Sequence, residues 1–166
     1  MDRLEDKTKE MIGVMTGGDS ICYLTGNMGT QSFPNQLDPV WVVHHGRYPL
    51  YGVHIRICDV DKLNALISNR TMWDEVVAQS EQHATVEVLV PGHATDLHVV
   101  LPFDPNDIAK NFNIFFTARN GSFSQLLRFK KVNTTWFMAT KVEMGKVMYE
   151  EVQVGYPRNA SGQVDW

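Results

Sequence analysis

The sequence is poor in the features that announce membrane, nucleic-acid or metal chemistry. It has no run of 18 apolar residues, which excludes a helical membrane span within the chain. Met1-Asp2-Arg3-Leu4-Glu5-Asp6-Lys7 has no apolar core of a signal peptide. A cytoplasmic location is therefore expected if Met1 is the native start, and a membrane-anchored one otherwise. No block of five like charges occurs, and 15 basic residues stand against 19 acidic ones for a net charge of -4. That balance argues against nucleic acid or an anionic membrane as a partner, since both need clustered Lys and Arg. The densest basic spot, Arg128-Phe129-Lys130-Lys131, is divided between two faces by strand alternation. Only two cysteines are present, too few for a disulfide framework or a cysteine metal motif. A Cys22–Cys58 disulfide is expected if the domain faces an oxidising compartment, and two small buried side chains if it does not.

Catalytic signatures are equally scarce. Gly17-Gly18-Asp19-Ser20 has no following Lys and comes between a helix and a strand, the wrong order for a phosphate-binding loop. There is no Gly-x-Ser-x-Gly nucleophile elbow. His44 and His45 are adjacent, so on a strand they point to opposite faces. His54 and Cys58 share a face but lie about 13 Å apart along a strand, too far for one metal ion. No cofactor and no metal are expected. The preferred reading is a non-enzymatic binding, sensing or assembly module for a protein or small-molecule ligand. Two alternatives remain open: a hydrolase-type enzyme with a convergent site at Ser20, His54 and Asp59, and a structural oligomerisation unit.

What is present is the patterning of one mainly β domain. A chain of 166 residues that is 43% hydrophobic can bury a full core without a metal or disulfide. Residues 1–15 place Leu4, Thr8, Met11 and Met15 at alternating spacings of four and three, the seam of an amphipathic helix. That helix is either docked on the domain or a stalk remnant through which copies associate. After Thr16-Gly17-Gly18-Asp19-Ser20 the period falls to two. Strands are expected at Ile21–Leu24, Val40–His44, Tyr51–Ile57, Val86–Val90, Leu97–Leu101, Asn113–Arg119, Phe123–Val132 and Trp136–Val142, with an edge strand at 147–154. Residues 25–39 read as a loop, and 59–83 as one or two short helices crossing between sheets. Asn120-Gly121 predicts a hairpin turn with two positive-φ residues, and Asn133-Thr134 a second hairpin. Residues 155–166 read as a loose tail. Seven to eight short strands in 16–154, linked mostly by hairpins, predict an immunoglobulin-like two-sheet sandwich with a short N-terminal helix.

Three segments support a family resemblance. Thr16-Gly17-Gly18-Asp19-Ser20-Ile21-Cys22-Tyr23-Leu24, the stretch from Gly46 to Asp59, and the stretch from Asn113 to Gly121 resemble segments of a group of uncharacterised bacterial proteins. The resemblance covers residues 16 to about 142. It implies a soluble domain that follows a hydrophobic segment and a short helix, and it implies no catalytic residues.

Arg56 and Arg119 lie on otherwise apolar or aromatic strands, each just before a polar turn. With His54, Asp59 and Asn120 they form the candidate binding patch. Phe115, Phe116, Phe123, Phe129, Trp136 and Phe137 follow strand alternation and are expected in the core.

Overall fold

The computed structural model describes residues 2–28 and 35–166. Its elements in chain order are α1 (Asp2–Thr16), β1 (Ile21–Met28), β2 (Gln36–His45), β3 (Leu50–Asp59), α2 (Val60–Ser68), α3 (Trp73–Ser80), β4 (Glu81–Leu89), β5 (Ala94–Asp96), β6 (Leu101–Pro102), β7 (Ala109–Ala118), β8 (Gly121–Val132), β9 (Thr135–Glu143) and β10 (Val147–Val152). Two antiparallel sheets form a sandwich. The large sheet has the order β10-β9-β8-β7-β3-β4; in the small one β2 lies between β1 and β5 and also pairs with β6. Among the described residues eight strands have six or more residues, and β5 and β6 are short additions.

Alternation explains why the sheets face one another. Val53, Ile55 and Ile57 of β3 are buried while His54 and Arg56 between them are exposed. Ile114 and Phe116 of β7 and Phe123, Leu127 and Phe129 of β8 join them, and Leu24, Val40 and Val42 meet them from the small sheet. Burying each such side chain contributes about 1.5–3 kcal/mol. Phe103, between β6 and β7, packs its ring 5.0 Å from both Phe129 and Trp136.

Several local expectations are corrected. The segment 25–39 is not one loop, because β1 runs on to Met28 and β2 begins at Gln36; residues 29–34 of that expectation lie outside the described residues. Leu97 to Leu101 is not a strand: β5 and β6 pair with two separate stretches of β2, and His98 between them has φ of 53°. Helices α2 and α3 do form within 59–83, yet they join β3 to β4, neighbours in one sheet, instead of crossing between sheets. The β7–β8 turn consists of Arg119 and Asn120, with Ala118 paired to Gly121. Of Asn120 and Gly121 only Gly121 has positive φ, at 129°. Asn120 is held otherwise, since its Nδ2 donates to the Gly18 and Ser20 carbonyls.

The expected loose tail is folded. Tyr156 and Val164 are buried against Ala139 on the outer side of the large sheet, with Phe137, Val152 and Trp166 packed around them. Lys141 lies over the Trp166 ring and Lys130 pairs with Asp165 at 3.3 Å. Helix α1 is held at its C-terminal half. A Cβ on Gly13 would come within 2.5–2.8 Å of Tyr48 ring atoms, so only glycine permits this approach. Arg47 pairs with Glu10 at 2.7 Å. The apolar side chains Leu4, Met11, Ile12 and Met15 remain exposed.

Candidate functional site

The outer side of the large sheet is where strand register gathers chemistry. Arg56 of β3 is directly opposite His83 of β4 on one side and Phe115 of β7 on the other. Phe115 is opposite Ser124 of β8, which is opposite Glu143 of β9. One row of outward side chains, His83–Arg56–Phe115–Ser124–Glu143, therefore crosses five strands. The next row is Thr85–His54–Thr117–Ser122. His54, Arg56, His83, Thr85, Phe115 and Thr117 line a shallow depression of about 330 Å³. A wider depression of about 720 Å³ continues over β8 and the β9–β10 turn, sharing Phe115 and Thr117 and reaching Lys146.

The Arg56 guanidinium lies 4.6 Å from the centroid of the Phe115 ring. Such stacking fixes the long side chain and leaves its N–H groups free to donate. Glu81 is the carboxylate nearest this cluster, 3.9 Å from Arg56 and 3.5 Å from His83.

The five candidate residues separate. His54 and Arg56 share the depression. Arg119 is at the β7–β8 turn, 4.7 Å over the Tyr51 ring, and donates from Nη1 to the Met15 carbonyl at the end of α1. Asn120 is turned toward the entry to β1. Asp59 pairs with Lys110 at 2.8 Å and accepts from the Lys62 N–H as the cap of α2. Arg119, Asn120 and Asp59 thus hold elements together. The residues that strand alternation did not assign to the site are His83, Thr85, Phe115 and Thr117. The consecutive Phe115 and Phe116 carried the signal, because only one of two neighbours on a strand can face the core.

Ser20, His54 and Asp59 do not converge. Ser20 is fully buried and its Oγ accepts from the Tyr48 N–H at 2.9 Å. His54 is exposed, and Asp59 lies five residues further along β3, about 16 Å away. The Cys22–Cys58 disulfide is absent, both thiols being free and buried. Cys22 faces the core between the sheets with Leu24, whereas Cys58 shares the outer side of β3 with His54 and Arg56, so the large sheet stands between them. Burial raises the Cys22 thiol pKa; burial, then the Glu81 and Asp59 carboxylates, raises that of Cys58.

Among the described residues no group of three or more His, Cys, Asp or Glu is placed to hold a metal ion, and no helix is long and apolar enough to cross a membrane. No family model, curated protein or solved structure matches the chain.

Proposed function

We propose that the chain is a non-enzymatic binding module, an immunoglobulin-like sandwich whose ligand face is the open half of the outer side of the large sheet. The observation that carries this reading is the pair of registered rows through Arg56 and His54, which leave a stacked arginine, two histidines and several hydroxyls uncovered. The contrast with the rest of that side supports it. The C-terminal segment covers Ala139, and Asp61 of α2 binds both the N–H and the side chain of Asn111. Long side chains left in fixed positions on an otherwise covered sheet are an arrangement suited to recognition.

The test is a fragment screen by heteronuclear NMR on the isotope-labelled protein, with neutral, cationic and anionic fragments. Shift changes are expected at the amides of residues 54, 56, 83, 85, 115 and 117. Hits confined to other surfaces overturn the reading.

A second reading, assembly of copies through residues 1–15, rests on Leu4, Met11 and Met15, which are 75%, 65% and 64% exposed along one seam of α1. Light scattering of the full chain against a Leu4→Glu, Met11→Glu variant decides it. A monomeric parent at high concentration removes it.

A further inference from the structure

Resting on the binding face just described, we infer that the depression around Arg56 is an oxyanion site, for a small molecule that carries a carboxylate or phosphate beside a flat apolar body.

Charge is the first argument. Arg56 and His83 are directly opposite one another on paired strands, and His54 lies two residues from Arg56 on the same side, about 6.6 Å along β3. Glu81 is shared by Arg56 and His83 and meets Arg56 only at 3.9 Å. Glu143, at the far end of the row, is three strand spacings from Arg56, about 14 Å, beyond the reach of an unscreened interaction. Arg56 therefore keeps only the long ion pair with Glu81 among the described residues, and a bound anion would supply a closer one.

Hydrogen-bonding chemistry is the second. A guanidinium presents parallel N–H donors that match a carboxylate or phosphate, and a ring against its face holds it in place without using those donors. Each neighbouring imidazole offers at least one N–H in either protonation state. The Thr85 and Thr117 hydroxyls line the same depression. Phe115 is 39% exposed although it is a large aromatic, and it lines both depressions, so an apolar body joined to the anion has a surface to lie on.

Four probes separate the possibilities on the full chain: inorganic phosphate, phenyl phosphate, benzoate and benzyl alcohol, titrated against the labelled protein. Saturable shifts are expected at residues 54, 56, 83, 115 and 117 with phenyl phosphate and benzoate, with dissociation constants of about 1 mM. Inorganic phosphate should bind at least threefold more weakly than phenyl phosphate if the ring contact contributes; equal affinities assign the source to the free ion alone. Arg56→Gln and Arg56→Lys should each weaken phenyl phosphate at least tenfold, because lysine keeps the charge and loses the fork and the stack. Both substitutions are on the exposed side of β3, and unchanged urea midpoints certify the fold; His83→Gln, expected to weaken binding at least threefold, supplies an independent variant. Benzyl alcohol shifting the same residues as strongly as the anions overturns the inference and leaves the binding face intact. Anions that shift only residues elsewhere, or none, overturn the inference, and the binding face falls with it only if neutral and cationic fragments also leave residues 54, 56, 83, 85, 115 and 117 unshifted.

Discussion

Replacing Gln125 by leucine tests how the two sheets are joined. Gln125 is fully buried on β8, faces the small sheet, and makes three hydrogen bonds. Its Oε1 accepts from the Leu24 N–H at 2.7 Å, and its Nε2 donates to the Leu24 carbonyl at 2.8 Å and to Thr140 Oγ1 at 2.6 Å. Leu24 belongs to β1, the edge strand of the small sheet, so the side-chain amide satisfies both backbone groups as a neighbouring strand would. A leucine fills similar volume but leaves the N–H and C=O of Leu24 buried and unpaired. Each unpaired group costs about 1–3 kcal/mol. Burying leucine in place of a primary amide returns part of that, so the net loss is about 2–4 kcal/mol. For a chain of this size, 3 kcal/mol lowers the melting temperature by about 6–12 °C. Urea unfolding followed by tryptophan fluorescence reads the free energy. Thr140→Val is the control, since it removes one hydrogen bond and leaves the Leu24 clamp whole, at a cost of about 1 kcal/mol. A Gln125→Leu loss below 1 kcal/mol, or one equal to that of Thr140→Val, refutes the clamp.

Two further perturbations follow from buried titratable groups. His44 Nε2 donates to the Tyr48 carbonyl at 2.7 Å while Nδ1 is buried without a partner, and burial, outweighing that hydrogen bond, lowers its pKa below the usual 6.5. The unfolded chain then takes up the proton first, so this contribution is full above pH 6.5 and is lost as pH falls toward the folded value, by up to about 1.4 kcal/mol per pH unit. His44→Gln, which can still donate to Tyr48, should flatten the stability profile between pH 7 and pH 5; an unchanged slope removes the assignment. The thiols have the opposite sign. Cys22 and Cys58 hold their protons more tightly in the folded chain, so stability should fall as pH rises above about 8.5, where unfolded thiols ionise. A thiol reagent at pH 7.5 should label neither residue until urea unfolds the chain; rapid labelling of the native protein contradicts their burial.

The readability of the fold in the sequence depended on how local each instruction was. The β3 alternation of Val53, Ile55 and Ile57 with His54 and Arg56 needs nothing beyond neighbours, and it appears in the structure as read. The hairpin at Arg119 and Asn120 was placed to within a residue, but its backbone form was not, because Asn120 is recruited by carbonyls about a hundred residues away. The segment 97–101 has the period of a strand. Its backbone N–H at Leu97 goes to the Val40 carbonyl, yet the chain then turns at His98 before β6 forms, an outcome decided by the register of β2. The tail from Gly155 offers no period at all. Its order comes from Tyr156 and Val164 finding the apolar outer surface of β9, which becomes a surface only after three strands have paired.

The candidate site divides along the same line. His54 and Arg56 were legible because both lie on one strand whose two faces differ sharply in polarity. His83 was hidden because it follows a helical segment and acquires a meaning only when β4 aligns it with Arg56. Phe115 looked like core for the reason Phe116 is core, and pairing with Arg56 turns it into the floor of a polar depression. Arg119, Asp59 and Asn120 misled because a polar residue beside a turn has two uses, to meet a ligand or to tie down the chain. All three serve the second: Arg119 binds the end of α1, Asp59 caps α2, and Asn120 fixes the path into β1. Their bonds run to backbone groups that would otherwise go unpaired, a demand every fold must meet before a side chain is free for recognition. Arg56 meets no such demand: it is stacked on a ring and only loosely paired, and so it is the arginine of the pair left free to bind an anion.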